Sequence, residues 1–247
     1  DLERTEQERR TKIRDSVKAQ NGERQQPVKK DTENPDKYEG MVWIPGGHFL
    51  VGNWSDREDP QLNTPQTEAD THLAGFWIDQ DEYHHRMKKA PEGETEEEAA
   101  ARSAWNLEFS LRINDNDGQG FDHGQAEKAC TNQGKQLCSA EQWEKACRGT
   151  ELDDYSYGNV FDAERCPPGY QASETYKINA FETCQSSGYG IRGMSGGVQE
   201  WTSTLAPDQV SFILKGSTGA TNSRCAASED FRPDIGKMIL GVRCCAD

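Results

Sequence analysis

The sequence predicts an α+β fold with an irregular body, low in regular secondary structure and held together by disulfide bonds. Three observations carry that prediction. Helices are few while short apolar runs suited to strands are many. The loops between them are long and ordered in character, and long loops in a compact domain need fixing. The chain also has eight cysteines, an even number, distributed as Cys130, Cys138, Cys147, Cys166, Cys184, Cys225, Cys244 and Cys245. No CxxC motif and no zinc-finger spacing occurs among them. Distributed, even-numbered cysteines in a polar chain read as disulfides, and hence as an oxidising compartment.

Residues 1–20 have helix-forming composition, but Ile13 and Val17 make only one i,i+4 apolar pair, too little to bury a helix face alone. Residues 21–40 carry Gly22, Pro27, Pro35 and Gly40 among charges and read as a linker. Residues 1–40 are thus a charged helix and linker, and residues 41–247 form the globular domain. Met41–Asn53, MVWIPGGHFLVGN, reads as a β-hairpin around Pro-Gly-Gly. Residues 55–71 are a polar loop, and 72–85 alternate enough for a strand. Residues 93–105 suit a short helix whose acidic first turn the helix dipole favours. Residues 114–120 are a loop, and 124–133 a helix.

The clearest local signal follows. Ser139 stands three residues before Gln142, the capping-box spacing, so a helix is expected over Ala140–Arg148, closed by Gly149. Cys130 and Cys147 then lie on separate helices without a near partner in sequence. Beyond Gly149 periodicity is lost until about Ser211, except for a strand at Val198–Ser203. VSFILKGS (210–217) and MILGVRCC (238–245) are further strands, the second closing the chain.

Hydrophobic residues make up 33% and charged residues 29%, which implies a modest core with long polar loops or a tail. The net charge is −15, from 28 basic and 43 acidic residues. The first 40 residues are neutral overall, so the rest of the chain carries the whole excess. Such a surface repels nucleic acid and anionic lipid; a plainly solvated face is the favoured reading of it, and a basic partner or divalent cations would also suit it. No run is long and apolar enough to span a membrane. The first residue is Asp, not Met, which points to processing or trimming and leaves room for a leader or lipid anchor upstream.

Six phrases occur in a telling order: MVWIPGGHFLVGN (41–53), GFWIDQDEY (75–83), GKQLCSAEQWEKACRG (134–149), YSYGN (155–159), GYGIRGMSGGVQEWT (188–202) and RCAAS…LGVRCC (224–245). Together they resemble the sulfatase-modifying-factor family, the formylglycine-generating-enzyme domain, from Met41 to Cys245. The resemblance implies a variant of the C-type-lectin fold with bound calcium. It also implies pairing of Cys130 with Cys244 and of Cys147 with Cys225, as in disulfide-bonded members. Cys166–Cys184 and Cys138–Cys245 are then the pairs proposed for the remainder, with an exchange of Cys130 and Cys138 between Cys244 and Cys245 left open.

Catalytic members oxidise a substrate cysteine with two closely spaced cysteines that bind Cu(I), an ion that soft sulfur ligands select. The matching stretch here, Lys215–Arg224, has no cysteine between Gly216 and Arg224. Its Ser217, Thr218, Thr221 and Ser223 are hydroxyls, which are hard ligands. No copper site and no formylglycine synthesis are expected. A family calcium site maps onto GMSGGVQEW, with the Glu200 carboxylate and the carbonyls of Gly196 and Val198 as candidate ligands. Gly193 stands where the family has an Asn ligand, and the other reading of Glu200 is a buried hydrogen-bonding residue. Asp115 and Asp117 lie in NDNDGQGFD (114–122), which fits the middle of an EF-hand loop. Ile113 and Gln125 break that pattern at its ends, so an Asx-rich turn is the favoured reading.

His84 and His85 are adjacent, while His48, His72 and His123 are scattered; all five read as surface or loop residues. Ser195 in GMSGG lacks the strand-turn-helix setting of a nucleophile elbow.

The expected function is a non-catalytic, extracytoplasmic binding or assembly module, periplasmic, secreted or in the cell envelope as a subunit of a larger complex. Protein partners are expected at the N-terminal helix or at the family's groove. The alternative is an enzyme of the same family, a formylglycine-generating oxidase or a diverged oxidoreductase.

Overall fold

The computed structural model describes residues 38–52, 69–82, 122–166, 183–216, 223–235 and 240–247, with a few residues elsewhere. The helix expected over 93–105 and the linker 21–37 lie outside them, apart from Thr95, Glu96 and Glu97. Of residues 1–20, those described are helical and exposed. Tyr38, in the segment read as linker, already joins the body. Its ring lies 4.9 Å from that of Trp77 and its hydroxyl donates to the Asp247 carbonyl at 2.9 Å.

The chain enters as β1 (Met41–Ile44), β2 (Gly47–Val51), β3 (Ala69–Leu73) and β4 (Phe76–Asp79). β1 does not fold back on β2, so the hairpin expected over 41–53 is replaced by a longer device. β1 pairs with β4 and β2 with β3, both antiparallel. Met41 faces Asp79 and Val51 faces Ala69, so one register runs through both halves. This is a single ribbon bent at Pro45–Gly46 on one side and Ala74–Gly75 on the other. Proline has no N–H to give a ladder, so pairing stops there. The two glycines let the backbones touch: a Cβ on Gly46 would lie 2.8 Å from Gly75 N, and one on Gly75 would lie 2.4 Å from the Trp43 ring. The strand expected over 72–85 is therefore the end of β3, the bend and β4.

Two helices follow, with a short strand between them. α1 (His123–Thr131) is capped by Asp122, whose side chain accepts from Gln125 N at 2.7 Å while the Gln125 side chain accepts from Asp122 N. β5 (Gln136–Leu137) leads into α2 (Ala140–Arg148), where Ser139 and Gln142 form the reciprocal box. Gly149 ends α2 at φ 64°.

β6 (Gln199–Leu205), β7 (Phe212–Lys215), β8 (Ser228–Phe231), β9 (Leu240–Val242) and β10 (Cys244–Ala246) complete the chain. One sheet has the order β1-β4-β10-β5 and another β8-β7-β6-β9. The closing strand expected from MILGVRCC is two strands in two sheets. β9 runs parallel to β6, Arg243 makes the step across, and β10 lies between β4 and β5.

Four disulfides join Cys130 to Cys244, Cys138 to Cys245, Cys147 to Cys225 and Cys166 to Cys184. Because successive strand residues face opposite sides, adjacent Cys244 and Cys245 reach different cores. Cys244 packs with Cys130, Trp201, Leu214 and Val242. Cys245 packs with Cys138, Ile44, Ile78 and Trp143.

Candidate functional site

The place where the resemblance puts catalytic sulfur is flanked by structural bonds. β7 ends at Lys215, whose ammonium donates to Glu144 Oε2 at 2.9 Å and to the Ala226 carbonyl at 3.2 Å. Residues 217–222 lie outside the described residues. Ser223 is fully buried. Arg224 lies over the Tyr155 ring at 5.8 Å and donates through Nε to its hydroxyl at 3.3 Å. Cys225 is bonded to Cys147 of α2.

Below this stretch sits a buried charge cluster on α2. Glu144 accepts from Lys215, from Arg148 Nε at 3.0 Å and from Gly52 N at 2.8 Å, and Arg148 Nη2 donates to the Gly52 carbonyl. Burial pushes the Glu144 carboxyl up, but Lys215 and Arg148 outweigh it and hold it below the ordinary range. The neighbouring Lys145 has carbonyl partners instead, Pro45 O at 2.8 Å and Gly47 O at 3.2 Å, so it pins the bend of the ribbon. Burial lowers its ammonium to about 8.

A second cluster joins the two four-stranded sheets. Glu200 and Arg243 are both fully buried. Arg243 Nη2 donates to Glu200 Oε1 at 2.7 Å and Nε to Oε2 at 3.0 Å, while Trp143 Nε1 donates to Oε2 at 2.6 Å. The remaining guanidinium contacts are the carbonyls of Asp79 and Arg192. Burial pushes the Glu200 carboxyl up, to about 7, against the pull of Arg243. Alongside, Lys135 Nζ lies 2.7 Å from Asp79 Oδ1, and Cys244 N donates to Asp79 Oδ2.

These contacts decide what each expected site residue does. Glu200 forms a bidentate ion pair, so both of its oxygens already accept from a guanidinium fixed in the chain. Gly196 is buried and Val198 partly so, in the turn before β6. Asp115 and Asp117 lie outside the described residues. Asp122, the last residue of that stretch, is a helix cap. Among the described residues no group of three or more His, Cys, Asp or Glu side chains is placed to hold a metal. Ser195 is fully buried, its hydroxyl accepting from Ser156 N at 2.7 Å. His123 is buried, stacked at 3.6 Å on Phe212, with Nε2 3.2 Å from the Thr202 carbonyl. His48 and His72, read as scattered, face each other across β2 and β3. A cleft of about 490 Å³ opens between the helices and the ribbon bend, lined by Gly75, Glu127, Gln136, Gln142, Ser203 and others.

Arg243, Glu144, Lys215 and Asp79 belong to these clusters without being marked as a group in the sequence. For Glu144 a signal was present, since Arg148 stands at the favourable i,i+4 spacing on the same helix. Arg243 had none of its own, because its partner lies 43 residues away.

A mixed α+β body of short strands around two helices, with a bidentate Glu-Arg pair under its signature turn and four disulfides, is the formylglycine-generating-enzyme variant of the C-type-lectin fold. Solved structures with this fold include PvdO from Pseudomonas aeruginosa, at TM-score 0.54 and 15% identity over 84% of this chain and 94% of that one. CarF superposes at 0.52 with 17% identity over 83% and 97%. The profile of the Sulfatase-modifying factor enzyme 1-like domain matches residues 24–247, and the chain belongs to that family. Curated relatives are the Inactive C-alpha-formylglycine-generating enzyme 2 of Bos taurus and of Mus musculus, each 31% identical over 137 residues, 47% of this chain. The match takes in 45% and 44% of their lengths.

Proposed function

We propose that the chain is a non-catalytic, extracytoplasmic module of this family that binds or assembles with a protein partner. One observation carries the reading: all eight cysteines are in disulfides and no free thiol is left. The most local of these bridges spans 18 residues, so none resembles the closely spaced pair that Cu(I) chemistry needs. The names of the curated relatives support it, since both are called inactive. Four disulfides fit an oxidising compartment. Among the described residues no helix is long and apolar enough to cross a membrane.

Protein contact through the N-terminal helix or the groove belongs to the same reading. Lectin-type scaffolds vary their loops on a fixed frame, which suits them to binding. Calcium would enter the Gly196–Glu200 turn only by sharing Glu200 with Arg243, and calorimetric titration of chelator-stripped protein reads that directly.

The decisive experiment is oxygen uptake with a cysteine-containing peptide, with and without copper, beside thiol titration of the denatured, unreduced protein. No copper-dependent uptake and no titratable thiol are expected. Two or more free thiols with copper-dependent uptake would establish the oxidase instead. A stoichiometric partner in native co-purification supports assembly.

A further inference from the structure

We propose that His48 and His72 form a binding site for a divalent zinc-class ion on the β2–β3 half of the bent ribbon, beside the bend. The two residues are register partners on antiparallel β2 and β3. Cross-strand partners project to the same face with Cβ atoms about 4.5–5.5 Å apart. His72 is exposed and His48 partly exposed, so the face they share is reached from solvent. Their ring centroids lie 5.0 Å apart at an interplanar angle of 75°.

That separation is what a shared ion requires. Zinc binds imidazole nitrogen at about 2.0–2.1 Å in tetrahedral geometry, which sets the ring centres of two such ligands about 5.2 Å apart. The backbone spacing therefore needs no change. Rotation about χ2, a broad torsion in histidine, aims one nitrogen of each ring at the common point. Imidazole is the commonest protein ligand for zinc and its neighbours in the series.

The ribbon is also well held behind the site. Lys145 bonds the carbonyl of Gly47, the residue before His48, and Phe49 on the opposite face is fully buried. A ligand pair on a pinned ribbon loses little freedom on binding. The surplus of acidic residues, 43 against 28 basic, raises the local concentration of cations. Two imidazoles leave two tetrahedral positions, which water or a carboxylate from a bound partner would fill. The site stands apart from the cysteine chemistry, so it does not depend on the binding-module reading.

The test is calorimetric titration of the oxidised full chain with zinc chloride, for the unaltered protein, His48→Gln, His72→Gln and the double variant His84→Gln/His85→Gln. One equivalent should bind. Either ribbon substitution should weaken it by more than the roughly 10–100-fold that loss of an outer-shell partner costs. The His84/His85 variant should bind as the unaltered protein does. The Hε1 proton resonances of His48 and His72 should shift together on zinc addition. Absence of binding, or binding that survives both ribbon substitutions, overturns the site. His72 is exposed, so its substitution leaves the fold intact and keeps the test valid if His48→Gln misfolds.

Discussion

At the scale of single residues, the two buried charge clusters show why this core is polar at its centre. Ionised groups out of water cost several kcal/mol each unless paired and fully hydrogen-bonded. Glu144 meets that condition with Lys215, Arg148 and Gly52 N. Removing the negative charge while keeping the shape, by Glu144→Gln, leaves two cations facing an amide. The expected cost at neutral pH is about 3 kcal/mol, in the range for breaking a buried pair. The sign with pH follows from the lowered Glu144 carboxyl. Its share of stability is fully present above the unfolded carboxylate range and is lost as pH falls through the folded value. Urea unfolding of both proteins at neutral and acid pH should show the gap close on acidification. A gap that stays constant would mean that packing, not charge, sets it. None of this cluster beyond the Glu144–Arg148 spacing was legible in the sequence, since Lys215 and Gly52 approach from 71 and 92 residues away.

At the scale of elements, legibility follows the range of the forces. α2 was readable to the residue because its start is a local exchange between Ser139 and Gln142 and its end is one glycine. α1 lies within two residues of the expected 124–133 at each end, and its box between Asp122 and Gln125 falls in a stretch, NDNDGQGFD, that also suits a calcium loop, so the local signal there is ambiguous. The strands fared differently. Nothing within Met41–Asn53 says that its two halves pair with residues 69–79; an apolar run around Pro-Gly-Gly suits a tight turn equally well. The bend is fixed from outside, by the Gly46–Gly75 contact and by Lys145. The two ends of α2 should differ in cost. Ser139→Ala loses one cap, about 1 kcal/mol. Gly149→Ala puts a Cβ 2.2 Å from the Ser187 carbonyl oxygen at a positive φ. Backbone must move there, so its cost should clearly exceed that of Ser139→Ala. Thermal unfolding of the two variants checks the order, and equal midpoints would deny that α2 is anchored on the Ser187 turn.

At the scale of the whole molecule, the disulfides act as a network rather than as four separate ties. Cys130–Cys244 and Cys138–Cys245 span 114 and 107 residues, for which the loop model gives nearly 5 kcal/mol each if taken alone. Their ends, however, are neighbours in sequence. With one bridge intact, the other closes a ring of only about 10 residues through it, and its own worth falls to about 2–3 kcal/mol. Removing either by paired Cys→Ala substitution should therefore cost far less than its span suggests. With both gone, β10 remains covalently tied to the helices only through Cys147–Cys225, some 20 residues upstream, so the joint loss should exceed the sum of the two single losses by about 1 kcal/mol. Denaturant midpoints of the two single-bridge variants and the double one test this. Additive losses would show that each bridge acts on native packing around its own core, since Cys244 and Cys245 face different clusters. A joint excess would show that adjacent cysteines on one strand back each other up, which makes the closure of β10 between β4 and β5 robust to reduction of either bond.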